Sequence, residues 1–87
     1  MKIKVLAGET ACGVGTGNGS NFGNATLVRV VNTDTAPHRV SIETSVAALV
    51  GSITLPPNGV AELIKDYSDE IFAANALVLA TPIAYTS

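Results

Sequence analysis

The chain has few of the residues that build metal sites and disulfide frameworks. Its 87 residues include one cysteine, one histidine and no tryptophan. A single cysteine allows no disulfide within the chain, and together with one histidine it cannot supply a typical zinc cage. We therefore predict no metal site and no cofactor, and we interpret Cys12 as a small buried residue or an inert thiol.

Basic and aromatic residues are also scarce. Five Lys and Arg residues stand singly against seven Asp and Glu, which gives a formal charge of −2. Nucleic-acid binding needs a basic patch that neutralises several phosphates, and stacking of bases needs clustered aromatic rings. The two Phe and two Tyr residues are far apart in the sequence. The composition therefore predicts no nucleic-acid partner.

No apolar run is long enough for a membrane-spanning helix, which needs about 20 residues. Residues 2–7 alternate charged and apolar side chains, and Glu9 comes soon after them. A secretory signal peptide has a longer apolar stretch. We therefore expect a soluble protein made in the cytoplasm, with no membrane partner.

Apolar residues are abundant, by contrast. They make up 47% of the chain, charged residues make up 14%, and the mean hydropathy is +0.40. A chain of this length holds one hydrophobic core, so residues 1–87 are predicted to form a single domain. In so small a domain, the apolar excess indicates surface that is buried against partners.

Glycine is concentrated near the start of the chain, where residues 8–23 contain six of the eight glycines. This segment predicts a flexible loop or arm, with Phe22 as an anchor near its end. It is not a phosphate-binding loop, because Ser20 stands where the third glycine of the G-x-G-x-x-G pattern that starts at Gly15 is needed.

The remaining sequence consists of short alternating segments separated by turns, which is typical of all-β proteins. Strands are predicted over 2–7, 24–32, 38–44, 51–55, 60–65 and 76–85, together with either a seventh strand starting at Ile71 or a helical turn over 68–75. We therefore predict a small antiparallel β-sandwich or barrel of six to seven strands with a glycine-rich N-terminal loop. The segments 24–32 and 38–44 are predicted to pair as a hairpin, with Val40 and Ile42 inward and Ser41 and Glu43 outward.

The last of these segments, 76–85, is nearly all apolar. A strand of this kind needs cover on both faces, and in so small a protein another subunit is expected to supply part of it. The residues predicted to contact a partner are Phe22, Leu77, Leu79, Ile83 and Tyr85.

Catalytic chemistry is not indicated. Ser41, His38 and Asp34 provide the residue types of a hydrolytic triad, but His38 follows Pro37 in a turn and is expected to cap that turn or to meet a partner. The acidic residues around Tyr67 lack the pattern of a calcium loop and predict a solvated turn, in which Lys65 pairs with a neighbouring carboxylate. The sequence therefore predicts that the protein is not an enzyme.

Residues 24–75 resemble small virion proteins of tailed bacteriophages, particularly those of marine and cyanobacterial phages. The resemblance lies in a hairpin followed by a strand, the turn Pro56-Pro-Asn-Gly59, and a Lys-x-x-x-Asp stretch occupied by Lys65 and Asp69. It covers strand and turn patterns and leaves the glycine-rich segment unmatched.

The resemblance implies a viral structural protein, namely a capsid cement (decoration) protein on the virion surface, assembled in the host cytoplasm. Its expected partners are the major capsid protein and further copies of itself, in a homotrimer. One alternative is a neck, tail or head-fibre component of the virion. A second alternative is a small ligand- or carbohydrate-binding β-module, which the lack of tryptophan disfavours.

Overall fold

The structure is a computed structural model that describes residues 2–86, and these residues form two β-sheets with no helix. Nine strands lie within the described range. They are β1 (Lys2–Val5), β2 (Thr10–Ala11), β3 (Gly13–Val14), β4 (Leu27–Asn32), β5 (His38–Glu43), β6 (Leu49–Leu55), β7 (Val60–Ile64), β8 (Glu70–Ala73) and β9 (Val78–Thr86). The predicted all-β sandwich is confirmed. The two strands of two residues each, β2 and β3, come from the glycine-rich segment.

The two sheets differ in strand order. The first sheet has the order β1-β9-β4-β7, with β2 also paired to β9, and the second has the order β3-β8-β5-β6. All pairs are antiparallel except β3 with β8. The apolar strand β9 is therefore covered on both edges by its own chain, by β4 on one side and by β1 and β2 on the other.

The predicted hairpin between 24–32 and 38–44 is wrong, because β4 and β5 lie in different sheets. The turn between them crosses from one sheet to the other, and so does the turn that joins β6 to β7. Asn32 fixes both crossings: its buried side-chain amide donates to the carbonyls of Ala36 at 2.9 Å and Leu55 at 3.0 Å. Asn32, which the sequence assigns to a turn, is thus buried and connects the two crossovers.

The core lies between the two sheets. Val28 and Val30 of β4 and Val78 of β9, all from the first sheet, share one buried cluster with Val40 of β5 and Ile71 of β8 from the second sheet. Burying each aliphatic side chain contributes about 1.5–3 kcal/mol, so this cluster is the main source of stability. Val40 and the partly buried Ile42 are on the core side, as the alternation predicts.

The glycine-rich segment closes one side of the sandwich. It leaves the first sheet at β2, where the Cys12 amide donates to the Val78 carbonyl at 2.9 Å, and enters the second at β3. Farther along the chain, the Gly17 amide donates to both carboxylate oxygens of Glu43, at 3.1 and 3.2 Å. Glu43 is on the outer side of its strand, as predicted, but it is fully buried beneath this segment.

Cys12 is enclosed by this arrangement, and burial raises the pKa of its thiol to about 11. At pH 8 only about one thiol in a thousand is then ionised, and the thiolate is the reactive form. We expect iodoacetamide to leave the native protein unlabelled at pH 8 and to label it fully in denaturant, as measured by mass spectrometry. Rapid stoichiometric labelling of the folded protein would contradict the burial of Cys12.

Candidate partner-binding face

The outer side of the first sheet carries a broad apolar surface, here called the outer face. It is formed by the side chains of β1, β9, β4 and β7 that alternate away from the core. Its apolar members are Ile3, Val5, Leu27, Val31, Val60, Ile64, Leu79, Ile83 and Tyr85. Five of these nine are exposed large side chains, namely Ile3, Val5, Val60, Ile64 and Tyr85.

The strand register arranges the outer face in rows. Leu79 of β9 is paired with Val31 of β4, and Val31 in turn with Val60 of β7, so one apolar row crosses three strands. Directly paired residues in antiparallel strands place their side chains side by side. At the other end of the sheet, Leu27 is paired with Ile64 in the same way.

A polar row separates these two apolar parts. Arg29 is paired with Thr81 and Glu62, and its guanidinium lies 3.7 Å from the carboxylate of Glu9. The Tyr85 hydroxyl donates to the Glu62 carboxylate. The pKa of Tyr85 is raised mainly by this hydrogen bond and to a smaller extent by desolvation. The phenol therefore stays protonated over a wider pH range. Arg29 pairs with Glu9, and Glu62 accepts the hydrogen bond from Tyr85, so each of these polar side chains has a partner between the two apolar parts.

Three of the five residues predicted to contact a partner share the outer face. Leu79 is half-buried there, and Tyr85 is exposed. Ile83 belongs to the same side of β9 but is only 3% exposed. Leu77 is exposed in the turn before β9, where its carbonyl accepts a hydrogen bond from the Thr33 amide. The structure thus brings Leu79, Ile83 and Tyr85 onto one surface.

Phe22 lies apart from this surface, buried in the core cluster. It also borders a cavity of about 400 Å³ between the loop 22–26 and β9, whose lining includes Leu6, Pro82 and Ile83. Phe22 has a φ of 52°, and Gly23 and Asn24 that follow it have φ of 69° and 61°. Positive φ is uncommon for a bulky residue, so this loop needs support from its surroundings.

Lys65 contributes to that support, a role that the sequence does not predict. Its ammonium donates to the backbone carbonyls of Ala25 at 2.5 Å, Asn21 at 3.0 Å and Asp66 at 3.3 Å. Burial lowers the pKa of Lys65, and the charges of Asp69, Asp66 and Glu70 oppose this shift. The expected pairing with a neighbouring carboxylate is therefore wrong, because the acceptors are carbonyls, two of them in a distant loop.

Ser41, His38 and Asp34 are not assembled into a triad, because only His38 and Asp34 lie together. His38 Nε2 lies 2.6 Å from the Asp34 carboxylate, a contact that lowers the pKa of Asp34 together with the Thr35 amide. Ser41 lies on the opposite side of β5 from His38, because the two residues are three positions apart in a strand. The Asp34–His38 pair therefore stabilises the turn where the chain crosses between the sheets.

Within residues 2–86 no cluster of His, Cys, Asp and Glu side chains has the arrangement of a metal site. The same range has no helix long and apolar enough to cross a membrane. Comparison of the chain with protein-family models, curated proteins and solved structures gives no match.

Proposed function

We propose that the chain is a structural protein of a tailed-bacteriophage virion, a cement protein that binds and stabilises the lattice of the major capsid protein. The observation that carries this proposal is the outer face. Isolated exposed apolar residues are ordinary on soluble proteins, but two apolar areas on one sheet face with a polar row between them are typical of an interface. A cement protein needs such a surface and needs no reaction chemistry.

The outer face also suits the expected self-association. Cement proteins of this kind frequently act as homotrimers, and the interfaces between obligate subunits are apolar, like the core of a domain. The apolar row formed by Leu79, Val31 and Val60 would meet a neighbouring copy or the capsid. The salt bridge between Arg29 and Glu9 would then lie among desolvated groups, where it favours one orientation of the partner.

The decisive experiment is quantitative peptide mass spectrometry on purified particles of a phage that encodes the chain, scored against the major capsid protein. On the order of hundreds of copies per particle would support the cement function, because a closed symmetric shell repeats each binding site many times. About a dozen copies or fewer would favour the neck, tail or head-fibre alternative. Absence from the particles would overturn both.

Substitution of Ile64 by Asp is expected to weaken capsid binding at least tenfold, because it places a charge in the apolar part of the outer face. Ile64 is 82% exposed, so the substitution leaves the core intact. Binding is measured by co-sedimentation with capsids that lack the protein.

Val46→Asp is the matched control, because Val46 is also aliphatic and 83% exposed but lies in the turn between β5 and β6, outside the outer face. We expect this variant to bind like the wild type. Equal binding by Ile64→Asp and the wild type would show that the outer face is not the capsid contact.

The cavity beside Phe22 is the observation that favours the ligand-binding alternative. Its volume of about 400 Å³ lies within the range of small-molecule sites. Saturable binding of a small molecule or glycan to the purified protein, with shifts confined to the loop 22–26 in an NMR titration, would favour this function over the virion.

A further inference from the structure

The four edges of the two sheets are protected to different degrees. A free edge strand exposes unpaired backbone groups, and soluble proteins protect such edges with charges, prolines, bulges or short strands. On one side of the sandwich, β1 carries Lys2 and Lys4, while β2 and β3 are two residues long. On the other side, β7 has Glu62 at its centre. Each of these edges has a recognised form of protection.

The edge strand β6 has much less protection. It is seven residues long and contains neither a charged residue nor a proline, and among residues 2–86 it pairs only with β5. Its side chains Leu49 and Val50 are 67% and 59% exposed. A bulge opposite Ile42 and Glu43 interrupts the pairing at Val50 and leaves 51–55 in regular register. The regular part of β6 is therefore available to another strand.

The sandwich is also open beside β6. A cavity of about 290 Å³ lies between β6 and β7, lined by Gly51, Ile53, Leu63 and the two inward residues of β5, Val40 and Ile42. Ile53 is on the core side of its strand but remains 42% exposed, because nothing within residues 2–86 covers this opening. A β-carbon at Gly51 would meet no atom within 4 Å. The β6 edge therefore has an exposed side chain at Ile53 and an unfilled space at Gly51, two residues earlier.

We infer that β6 is a self-association edge, and that it pairs antiparallel with β6 of a second copy of this chain around a two-fold axis at Ser52. In this register Ser52 of the two copies face each other, and Ile53 of each copy lies opposite Gly51 of the other. Each Ile53 then enters the space beside Gly51 and covers the apolar cavity. The two second sheets become one continuous sheet of eight strands, joined by backbone hydrogen bonds centred on the regular residues 51–53 of each copy.

The charge pattern identifies a second copy as the occupant. A two-fold contact places the same strand against itself, so any charge near the axis meets an identical charge. No charged residue occurs from Thr44 to Ala61, so a β6 pair has no such repulsion. A β7 pair centred on Glu62 would set two carboxylates against each other. Gly51 and Ile53 flank Ser52 symmetrically, as a self-complementary contact requires.

This contact goes beyond the proposed capsid function and uses a different surface, so either can fail alone. It is formed by the purified chain and does not involve the outer face. It is a two-fold contact, whereas the expected homotrimer needs a three-fold one. A cross-link across β6 therefore tests this pairing whatever the virion experiments show.

The test is a cysteine placed on the axis. Directly opposed residues in antiparallel strands have α-carbons about 4.5–5.5 Å apart, within the roughly 4.4–6.8 Å that a disulfide spans. We expect Ser52→Cys to give mainly a disulfide-linked species of two chains after mild oxidation, seen on a non-reducing gel. The buried Cys12 thiol is not expected to compete, and peptide mapping locates the bond.

Thr54→Cys is the matched control on the same side of β6. In the inferred register Thr54 faces Val50 of the second copy, so the two copies of Thr54 are about 14 Å apart and cannot be bridged. Cross-linking of Ser52→Cys but not of Thr54→Cys supports the pairing. Equal cross-linking of both variants, or of neither, overturns it.

A second variant tests the role of Ile53. Adding Ile53→Lys to Ser52→Cys places a charge in the cavity of the second copy and should reduce the linked species at least about fivefold. Circular dichroism verifies that this variant stays folded, which is expected because Ile53 is partly exposed. Undiminished cross-linking by the folded double variant would overturn the register.

Discussion

Gly13→Ala is expected to lower the free energy of unfolding by at least about 3 kcal/mol, because it inserts an atom where backbone already lies. A β-carbon at Gly13 would overlap the carbonyl of Asn18 and would also crowd the amide of Gly19 at 3.3 Å. These are main-chain atoms and cannot move aside by rotating a side chain. For a domain of this size the melting temperature should fall by about 12–24 °C.

Gly8→Ala is the matched control for this effect. Gly8 belongs to the same glycine-rich segment, but a β-carbon there meets no atom within 4 Å. Its melting temperature, measured by differential scanning calorimetry, should change by no more than a few degrees. If Gly13→Ala melts like Gly8→Ala, the 13–19 segment does not pack on itself as described.

The second large effect is expected for Lys65→Met, which should lower the free energy of unfolding by about 2–4 kcal/mol. Methionine keeps the length of the side chain but removes the ammonium group that donates to the carbonyls of Asn21 and Ala25. The loop between them, in which Phe22 has positive φ, then loses its hydrogen bonds to Lys65. Chemical denaturation measures the loss, and amide NMR shifts should change most over residues 21–25.

Lys4→Met provides the comparison, because Lys4 lies exposed on β1 and takes part in none of these contacts. We expect its stability to remain within about 0.5 kcal/mol of the wild type. A similar loss in both variants would mean that the removal of a positive charge, and not the support of the loop, determines stability.

Strand periodicity was sufficient to predict the fold class, and turn chemistry was not sufficient to predict the strand partners. The alternation of Val28 and Val30, and that of Val40 and Ile42, gives two half-buried strands whichever sheet they belong to. The turn 32–37 looks the same in sequence whether it joins two paired strands or crosses between sheets. The deciding contact is between Asn32 and the Leu55 carbonyl, 23 residues away, and no local pattern encodes it.

The candidate site was predicted in part for the same reason. Leu79, Ile83 and Tyr85 alternate along one strand, so their common face follows from a period of two. Phe22 was predicted to anchor its loop, but its place in the core depends on contacts with distant strands. Lys65 and Glu43 resemble solvated residues in the sequence, and they are buried only because residues 15–25 fold back over them. Glycine content predicts freedom of the chain and gives no information about where it packs.

The central position of β9 determines when the first sheet can form during synthesis. β1, β2 and β4 all pair with β9, and all three are synthesised before it. The first sheet therefore stays incomplete until residues 78–86 have left the ribosome, while the hairpin of β5 and β6 has all its residues much earlier. During that interval β4 has no partner strand at one edge, so its apolar side chains are exposed to aggregation until β9 has been made.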